Sequence, residues 1–213
     1  MKQLFSVLLS ALSLTTFAQV RVAVFAGPQT TTAKYTVNDK EQPTEYKYGF
    51  QAGANLKVLV EGPLYFTPAL YYSMLGYKVT LNNPSFPPDP HAVNNNTTIH
   101  TIEAAPLLNF DLSKNPSHVF IQFGPALNFA ISGKEKFTKV ENGTTSTVNQ
   151  SMTFKTTAYG TITSSAIARL GYETGKGFLI FAHYAHGLGS ANNADLGPVI
   201  KHRVIGLSVG KYF

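Results

Sequence analysis

The sequence predicts an all-β fold: an antiparallel, up-and-down transmembrane β-barrel of about eight strands. The first observation behind this prediction is the alternation between Ile121 and Ser132, where every second residue is apolar and the residues between are small or polar. Side chains of a strand point alternately to its two faces, so the pattern indicates one apolar and one polar face. The whole segment from His118 to Ser132 is long enough for a tilted strand to cross a bilayer.

Composition is the second observation. Only 13% of the residues are charged, against about 25% in typical soluble domains. No internal run reaches the length of about 18 apolar residues that a membrane-spanning helix needs. Apolar residues that are dispersed by alternation are typical of membrane barrels. Cysteine is absent, which excludes disulfides and thiolate metal sites.

The first 18 residues have the pattern of a secretory signal peptide. Lys2 supplies the positive charge, Leu4–Leu14 the apolar stretch, and Ala18 the small residue before the cleavage point. We therefore expect cleavage after Ala18 and a barrel domain that comprises residues 19–213. A lipoprotein is excluded because no cysteine is present to carry the lipid. A secreted barrel of this kind is expected in the outer membrane.

Seven other segments repeat the alternation. Tyr46–Val58 is the clearest of them, since aromatic, Ala, Leu and Val residues alternate with Lys, Gly, Gln and Asn. Thr157–Tyr172 is the weakest, because small residues interrupt its apolar face. The eight predicted strands, in order, are Val20–Gly27, Tyr46–Val58, Leu64–Lys78, Thr98–Leu112, His118–Ser132, Thr157–Tyr172, Phe178–Leu188 and Arg203–Phe213.

The connections between these strands alternate in length. Those after the first, third, fifth and seventh strands are long and polar, whereas the others are short turns. Membrane barrels have short periplasmic turns and longer external loops, so both chain ends are expected on the periplasmic side. The connection from Lys134 to Lys155 is predicted as a polar loop, with a turn signal at Asn142-Gly143.

Several stretches resemble the PorT-like outer-membrane β-barrel family of Bacteroidetes-type bacteria. The resemblance covers nearly the whole predicted mature chain and depends on the order of the motifs more than on any one of them. It implies an outer-membrane barrel without a single shared activity, with some members assisting protein secretion. The segments that carry it are LYFTPALYYSMLGYK at 64–78, IEAAPLLNFDL at 102–112, FGPALNFAISGK at 123–134, AHYAHGLGSA at 182–191 and HRVIGLSVGKYF at 202–213.

Charged side chains are predicted on the inward face of several strands. The lumen of an eight-stranded barrel is filled by side chains, and buried charges must be paired. We therefore expect a structural cluster in which Glu103 and Asp111 face basic residues, Glu103 pairing with Arg21, Lys57 or Arg169. A gated pore or proton path is the alternative. The predicted lumenal cluster is Arg21, Lys57, Glu103, Asp111, Arg169 and His183, with Lys47 on the same inward face.

No catalytic, cofactor or metal site is predicted. His183 and His186 are the best enzyme candidates, but a spacing of three places them on opposite faces of a strand. They are therefore unable to act together or to chelate one metal. The remaining histidines have no metal-ligand spacing. A lipid-modifying barrel enzyme and a soluble lipocalin-like carrier of an apolar ligand are kept as alternatives.

The sequence favours a non-enzymatic outer-membrane protein whose function lies in its extracellular loops. A structural, adhesion or surface-binding role fits this, as does an accessory role in secretion with an envelope protein as partner. The net charge of +6 comes from scattered residues, which argues against nucleic-acid binding and indicates at most a mild attraction to anionic lipid headgroups or polyanions. A monomer surrounded by outer-membrane lipid is expected.

Overall fold

A computed structural model describes residues 20–213 as an antiparallel β-barrel of eight strands, as predicted. The predicted signal peptide lies outside the described residues. The barrel strands are β1 (Arg21–Val37), β4 (Lys47–Glu61), β5 (Leu64–Thr80), β6 (Asn94–Asp111), β7 (His118–Glu141), β9 (Ile162–Glu173), β10 (Phe178–Gly187) and β11 (Val199–Tyr212). Pairing of β1 with β11 closes the sheet. Residues 20–213 contain no helix that is long and apolar enough to cross a membrane.

Three further strands lie above the barrel on the side of the long connections. They are β2 (Lys40–Gln42), β3 (Thr44–Glu45) and β8 (Thr144–Ser151). They pair with β1, β5 and β7 respectively. They extend the sheet beyond the length that a bilayer requires, so a part of the protein stands outside the membrane.

Two of the predicted loops are largely strand. β1 continues to Val37, and β7 continues to Glu141 and turns back as β8. The turn predicted at Asn142-Gly143 is confirmed, since the two residues have φ values of 50° and 75°, as a two-residue hairpin turn of type I′ requires. These stretches are polar because both faces of the hairpin tip meet water. They therefore lack the alternation of apolar and polar residues that identifies the membrane strands.

The outer wall carries the apolar residues, as the alternation predicted. Phe123 and Leu127 in the long strand β7 are half exposed, whereas their neighbours Gln122 and Ala126 are buried in the lumen. The same holds around the barrel, where the outward residues include Val24, Phe66, Leu70, Phe110, Leu170, Ile180 and Leu207. A lipocalin-like carrier has the opposite arrangement, with its apolar face inside.

One β-bulge changes which face of β7 points inward. His100 pairs with Ser132 and Thr101 pairs with Ala130, so Ile131 is an extra residue without a partner on β6. Beyond it the inward positions are odd-numbered, and Glu135 and Phe137 are buried inside the barrel. Bulges of this kind bend a strand and re-aim its side chains. Strict alternation carried across Ile131 would have placed both residues outside.

Candidate functional site

The lumen contains two groups of charged residues, and the first lies at the short-turn end. Lys57 Nζ is 2.7 Å from Asp111 Oδ2 and 2.9 Å from Glu173 Oε2. Arg21 pairs with the other oxygen of Glu173, and His118 Nε2 lies 3.1 Å from Asp111 Oδ2. The single positive charge of Lys57 thus faces two carboxylates, and a buried ammonium requires such partners. We refer to these five residues as the periplasmic cluster, because the short turns of membrane barrels are expected on the periplasmic side.

Aromatic rings cover the periplasmic cluster. The guanidinium carbon of Arg21 lies 4.4 Å from the ring centroid of Tyr212, and Lys57 Nζ lies 4.4 Å from that of Tyr65. These distances are within the range of cation–π attraction. Asn55 also donates a hydrogen bond of 3.2 Å to the Tyr212 hydroxyl. The chain end at Tyr212 is therefore attached to the lumen by side chains as well as by the sheet.

The second group lies around Arg169, near the middle of the lumen. Its guanidinium carbon is 5.0 Å from the ring centroids of Phe25 and Phe181 and 5.3 Å from that of Tyr71. Glu103 accepts a hydrogen bond of 3.2 Å from Thr101 and lines the same small cavity as Arg169. Among the described residues, Arg169 has no carboxylate oxygen within 4.0 Å, so the rings supply its closest electrostatic partners. We call this group the central cluster.

His183 belongs to the central cluster but takes part in a neutral hydrogen-bond network. Its ring nitrogens lie 3.3 Å from Gln51 Nε2 and 3.3 Å from Gln29 Oε1. Gln51 in turn donates to Ser208, and Gln29 donates to Ser73. Polar side chains from five strands thus satisfy one another across the lumen, as buried polar groups must.

The structure brings the six predicted residues inward but divides them between the two clusters. Asp111 meets Lys57, whereas Arg21 is bound to Glu173. The expectation that Glu103 pairs with Arg21, Lys57 or Arg169 is wrong, because among the described residues no cation lies within 4.0 Å of its carboxylate and it only lines the same cavity as Arg169. Glu103 and Lys57 also belong to different clusters. Lys47, predicted inside, reaches Asn96 and Thr98 on the outer wall at 2.7 Å each.

Sequence reasoning missed Glu173 and His118. The alternation in the predicted strand His118–Ser132 is assigned only from Ile121, and the predicted strand Thr157–Tyr172 ends one residue before Glu173. Continuing the inward positions of Arg169 and Gly171 by one step reaches Glu173, and continuing back from Phe120 reaches His118. The same alternation therefore indicates the inward position of both residues.

Buried side chains, including Phe25, Leu107, Phe120 and Leu179, pack together in the lumen. The cavities beside Glu103 and around His202 have volumes of about 10 Å³ each, which is roughly the space of one water molecule. The described lumen therefore has no continuous channel.

His183 is 5% exposed and enclosed by glutamines, whereas His186 lies outside against Tyr184. In residues 20–213, no group of three or more His, Asp or Glu side chains is arranged to hold a metal ion.

The long connections and the strand ends above the apolar wall form a second candidate site, which we call the crown (residues 34–47, 78–97, 133–161 and 188–202). It has its own core, with Tyr35, Tyr159 and Ile200 fully buried. Glu135 accepts hydrogen bonds from Tyr159 at 2.7 Å and from Gln150 at 2.9 Å. Burial raises the pKa of the Tyr159 hydroxyl well above its usual range. The crown is thus an ordered structure on top of the barrel.

A backbone ladder and one cation join two of the crown segments. Val93 N donates to Thr138 O and Val140 N donates to His91 O, each at 3.0 Å. Lys139 Nζ lies 3.5 Å from Asp89 and 2.8 Å from Glu141. The connection after β5 is therefore packed along the β7–β8 hairpin rather than extending into solvent.

Similar solved structures are outer-membrane barrels. The attachment invasion locus protein Ail of Yersinia pestis is 12% identical, with 91% of this chain and 98% of that chain covered and a TM-score of 0.44. A complex of Ail with the heparin analogue sucrose octasulfate aligns with a TM-score of 0.46 at 13% identity over 91% and 99% of the two chains. Neisserial surface protein A is 12% identical over 90% of this chain and 99% of that chain, with a TM-score of 0.43.

These likenesses concern the fold alone. No curated protein matches the sequence. The family model described as "Outer membrane protein beta-barrel domain" matches residues 15–193, which is most of the chain. With the closed eight-stranded barrel and its apolar outer wall, this match identifies the chain as a member of the outer membrane protein beta-barrel domain family.

Proposed function

We propose that this protein is a non-enzymatic, monomeric surface-binding protein of the outer membrane, with its ligand site on the crown. The observation that carries the proposal is the contrast between the two candidate sites. The lumen is filled by clustered charges, aromatic rings and hydrogen-bonded amides, whereas the crown is ordered by its own buried core and presents exposed, backbone-paired strands to the medium. Rigid scaffolds that position exposed loops are the usual setting of binding sites.

The exposed chemistry of the crown supports binding rather than catalysis. β8 is rich in Thr, Ser, Asn and Gln, and nearly all of its residues are exposed. Hydroxyl and amide side chains of this kind offer adaptable hydrogen bonds to a macromolecular partner. A lipid-modifying enzyme is less well supported because His183, its best candidate base, is enclosed by Gln29 and Gln51.

The assignment to a narrower group of outer-membrane barrels depends on the sequence motifs. The ordered segments of 64–78, 102–112 and 123–134 support membership of the PorT-like group, and the first 18 residues support export and cleavage after Ala18. An accessory role in secretion, through a partner in the envelope, is the variant of this function that the PorT resemblance favours.

Adhesion of whole cells tests the proposal. Cells of a non-adherent strain that display the protein are expected to bind surfaces coated with extracellular proteins or polysaccharides. An epitope tag inserted after Gly143, occupied by its antibody, should block this binding, while the lumenal variant Glu103→Ala should retain it whenever it reaches the membrane. Equal adherence of tagged, antibody-bound cells and untagged cells would refute a crown site, and ion conductance in planar bilayers would refute the closed lumen.

A further inference from the structure

The outer wall has cations at one end of its apolar region. On four barrel strands the outward apolar run ends, on the crown side, in a basic residue: Lys34 in β1, Lys78 in β5, Lys134 in β7 and Arg203 in β11. At the short-turn end, Lys211 is the only outward cation on the described barrel strands. The apolar wall is therefore bordered by a positive rim on the crown side alone.

Two cations of this rim lie directly opposite each other. Lys34 pairs with Lys201 in the register of β1 and β11, and Arg203 is two residues further along β11, opposite Thr32. The three side chains share the outer face because they alternate with the buried Ala33, Tyr35, Ile200, His202 and Val204. Like charges at directly opposed positions destabilise a sheet, so this arrangement needs a source of negative charge.

The protein supplies little of that negative charge. Glu41 lies 3.7 Å from Lys34, and both side chains are about half exposed, which makes their attraction weak. In the described part of the chain, neither Lys201 nor Arg203 has a carboxylate within 4.0 Å. The seam between β1 and β11 thus has an excess of positive charge that an external anion would neutralise.

A polar groove continues the rim on the other side of the barrel. It has a volume of about 590 Å³ and lies between the ends of β5, β6 and β7 and the short strands β3 and β8. Lys78 and Lys136 border it, and only Lys78 has a carboxylate partner, Glu45, at 3.2 Å. The remaining polar lining consists of hydroxyl and amide side chains, namely Thr44, Thr80, Asn94, Asn96, Thr138 and Thr147.

The position of the rim relative to the membrane boundary indicates which anion it meets. Exposed aromatic residues, including Tyr48 and Tyr184, lie on the outer wall below it, and Tyr184 pairs with Ile205, two residues from Arg203. Aromatic girdles mark the boundary between hydrocarbon and headgroups in membrane barrels. A cation immediately beyond that boundary faces the headgroup layer, and on this side the layer belongs to the outer leaflet.

We propose that the rim formed by Lys34, Lys78, Lys134, Lys136, Lys201 and Arg203 binds a phosphorylated glycolipid of the outer leaflet. Arg203 forms paired hydrogen bonds with one phosphate group, and Lys34 and Lys201 provide the compact charges beside it. The groove accepts the sugar portion of a headgroup through its hydroxyl and amide side chains. The rim and the groove lie at the base of the crown, next to the barrel, and the lipid-binding test below does not depend on the proposed adhesion.

Binding in nanodiscs tests the proposal with the full chain. The probe is diphosphorylated lipid A, and the comparison lipids are its dephosphorylated form and phosphatidylglycerol. The variant Lys34→Gln/Lys201→Gln/Arg203→Gln is expected to bind lipid A on the order of 100-fold more weakly, since each basic residue near an anionic surface contributes about a factor of five. The matched control Lys114→Gln/Lys176→Gln/Lys211→Gln removes three cations at the short-turn end and should bind as the unmodified protein does.

Further measurements separate a lipid site from other anion sites. A gel that compares heated and unheated samples verifies that each variant is folded. The variant Lys34→Arg/Lys201→Arg should bind lipid A as the unmodified protein does, because it keeps the positive charges. Equal binding of lipid A to the glutamine variant, or equal binding of the dephosphorylated lipid, would overturn the proposal. Competition by millimolar inorganic phosphate would indicate a site for free anions, and equal affinity for phosphatidylglycerol would rule out a glycolipid site.

Discussion

Glu173 shows what a single inward carboxylate does in a narrow barrel. One of its oxygens binds Lys57 at 2.9 Å and the other binds Arg21, so it joins strands that lie apart in the sheet. Its side chain is 3% exposed. In such surroundings each charge depends on its partners, because water is unable to solvate it. At the residue scale, the lumen is thus a set of mutually dependent groups.

Removal of Glu173 is therefore expected to destabilise the barrel strongly. Glu173→Ala leaves Arg21 with no carboxylate and Lys57 with Asp111 alone, and breaking a buried pair in this way costs about 3–5 kcal/mol. Denaturant unfolding in lipid vesicles measures the change. Glu61→Ala, at the exposed end of β4, is the matched control and should change stability by less than about 0.5 kcal/mol. Similar values for the two variants would contradict the role given to Glu173.

Glu103 is expected to be coupled to Arg169 and not to Lys57. Both Glu103 and Arg169 line the same cavity, whereas Lys57 belongs to the periplasmic cluster. In a double-mutant cycle, Glu103→Ala with Arg169→Met should cost less than the two single changes added together, by about 0.5–3 kcal/mol. Glu103→Ala with Lys57→Met should be additive. Coupling to Lys57 alone would show that the two clusters are one.

At the scale of elements, alternation decides which face of each strand meets lipid. β7 illustrates the rule and its exception, since the alternation continues from His118 to Ala130 and is then shifted by the bulge at Ile131. Below the bulge the outward residues are apolar, and from Ser132 to Thr138 above it they are charged or polar. The strand therefore changes from a membrane element to a crown element at one residue.

Arginine at Leu127 should be costly because of the bilayer. Leu127 is 49% exposed on the lipid-facing wall, and arginine near the midplane of a barrel costs about 2–4 kcal/mol. Arginine at the lumenal neighbour Ala126 should fail by overpacking instead. Cysteine at Leu127 is expected to react with a bilayer-soluble reagent and to resist a water-soluble one. The reverse labelling would mean that the wall faces water.

The β7–β8 hairpin contains an ion pair whose titration is measurable. The hydrogen bond and charge of Lys139 lower the pKa of Glu141 below its ordinary value of 4.5. The pair therefore stabilises the hairpin above that value and is lost as the pH falls through the lowered pKa. Carbon NMR of the Glu141 carboxyl should show this, and Lys139→Gln should return the pKa toward 4.5. An unchanged titration in the variant would exclude the pairing.

The whole molecule has two parts with different solvents. The barrel wall faces lipid, and its short turns and both described chain ends lie together, since Arg21 in β1 contacts Glu173 and Tyr212. The crown stands at the opposite end and has its own core. Periplasmic turns of membrane barrels are short and external loops are long, so we expect the crown outside the cell.

Epitope tags in intact cells check this orientation. A tag after Gly143, at the hairpin tip, should bind its antibody on whole cells, as should tags in the connections after β5 and β10. A tag at Gly175, in the turn between β9 and β10, should bind only after the outer membrane is opened. Surface exposure of the Gly175 tag would reverse the orientation and place the crown in the periplasm.

The sequence by itself determined the fold class, the approximate strand number and the faces of the membrane strands. These features are local, because a period of two in residues such as Phe123, Gly124 and Pro125 describes a strand whatever its neighbours are. The outer wall was predictable for the same reason. The inward position of Arg169, Asp111 and Lys57 followed from the same alternation.

Only the tertiary structure decided which inward charges meet. Lys57, Asp111 and Glu173 lie on β4, β6 and β9, and their distances depend on the register of every strand pair between them and on the tilt that closes the barrel. The bulge at Ile131 depends likewise on the pairing with β6. The like-charged neighbours Lys34 and Lys201 are distant in the chain and meet because β1 pairs with β11. Long-range register is set by the closed sheet as a whole, so no local pattern in the sequence encodes these contacts.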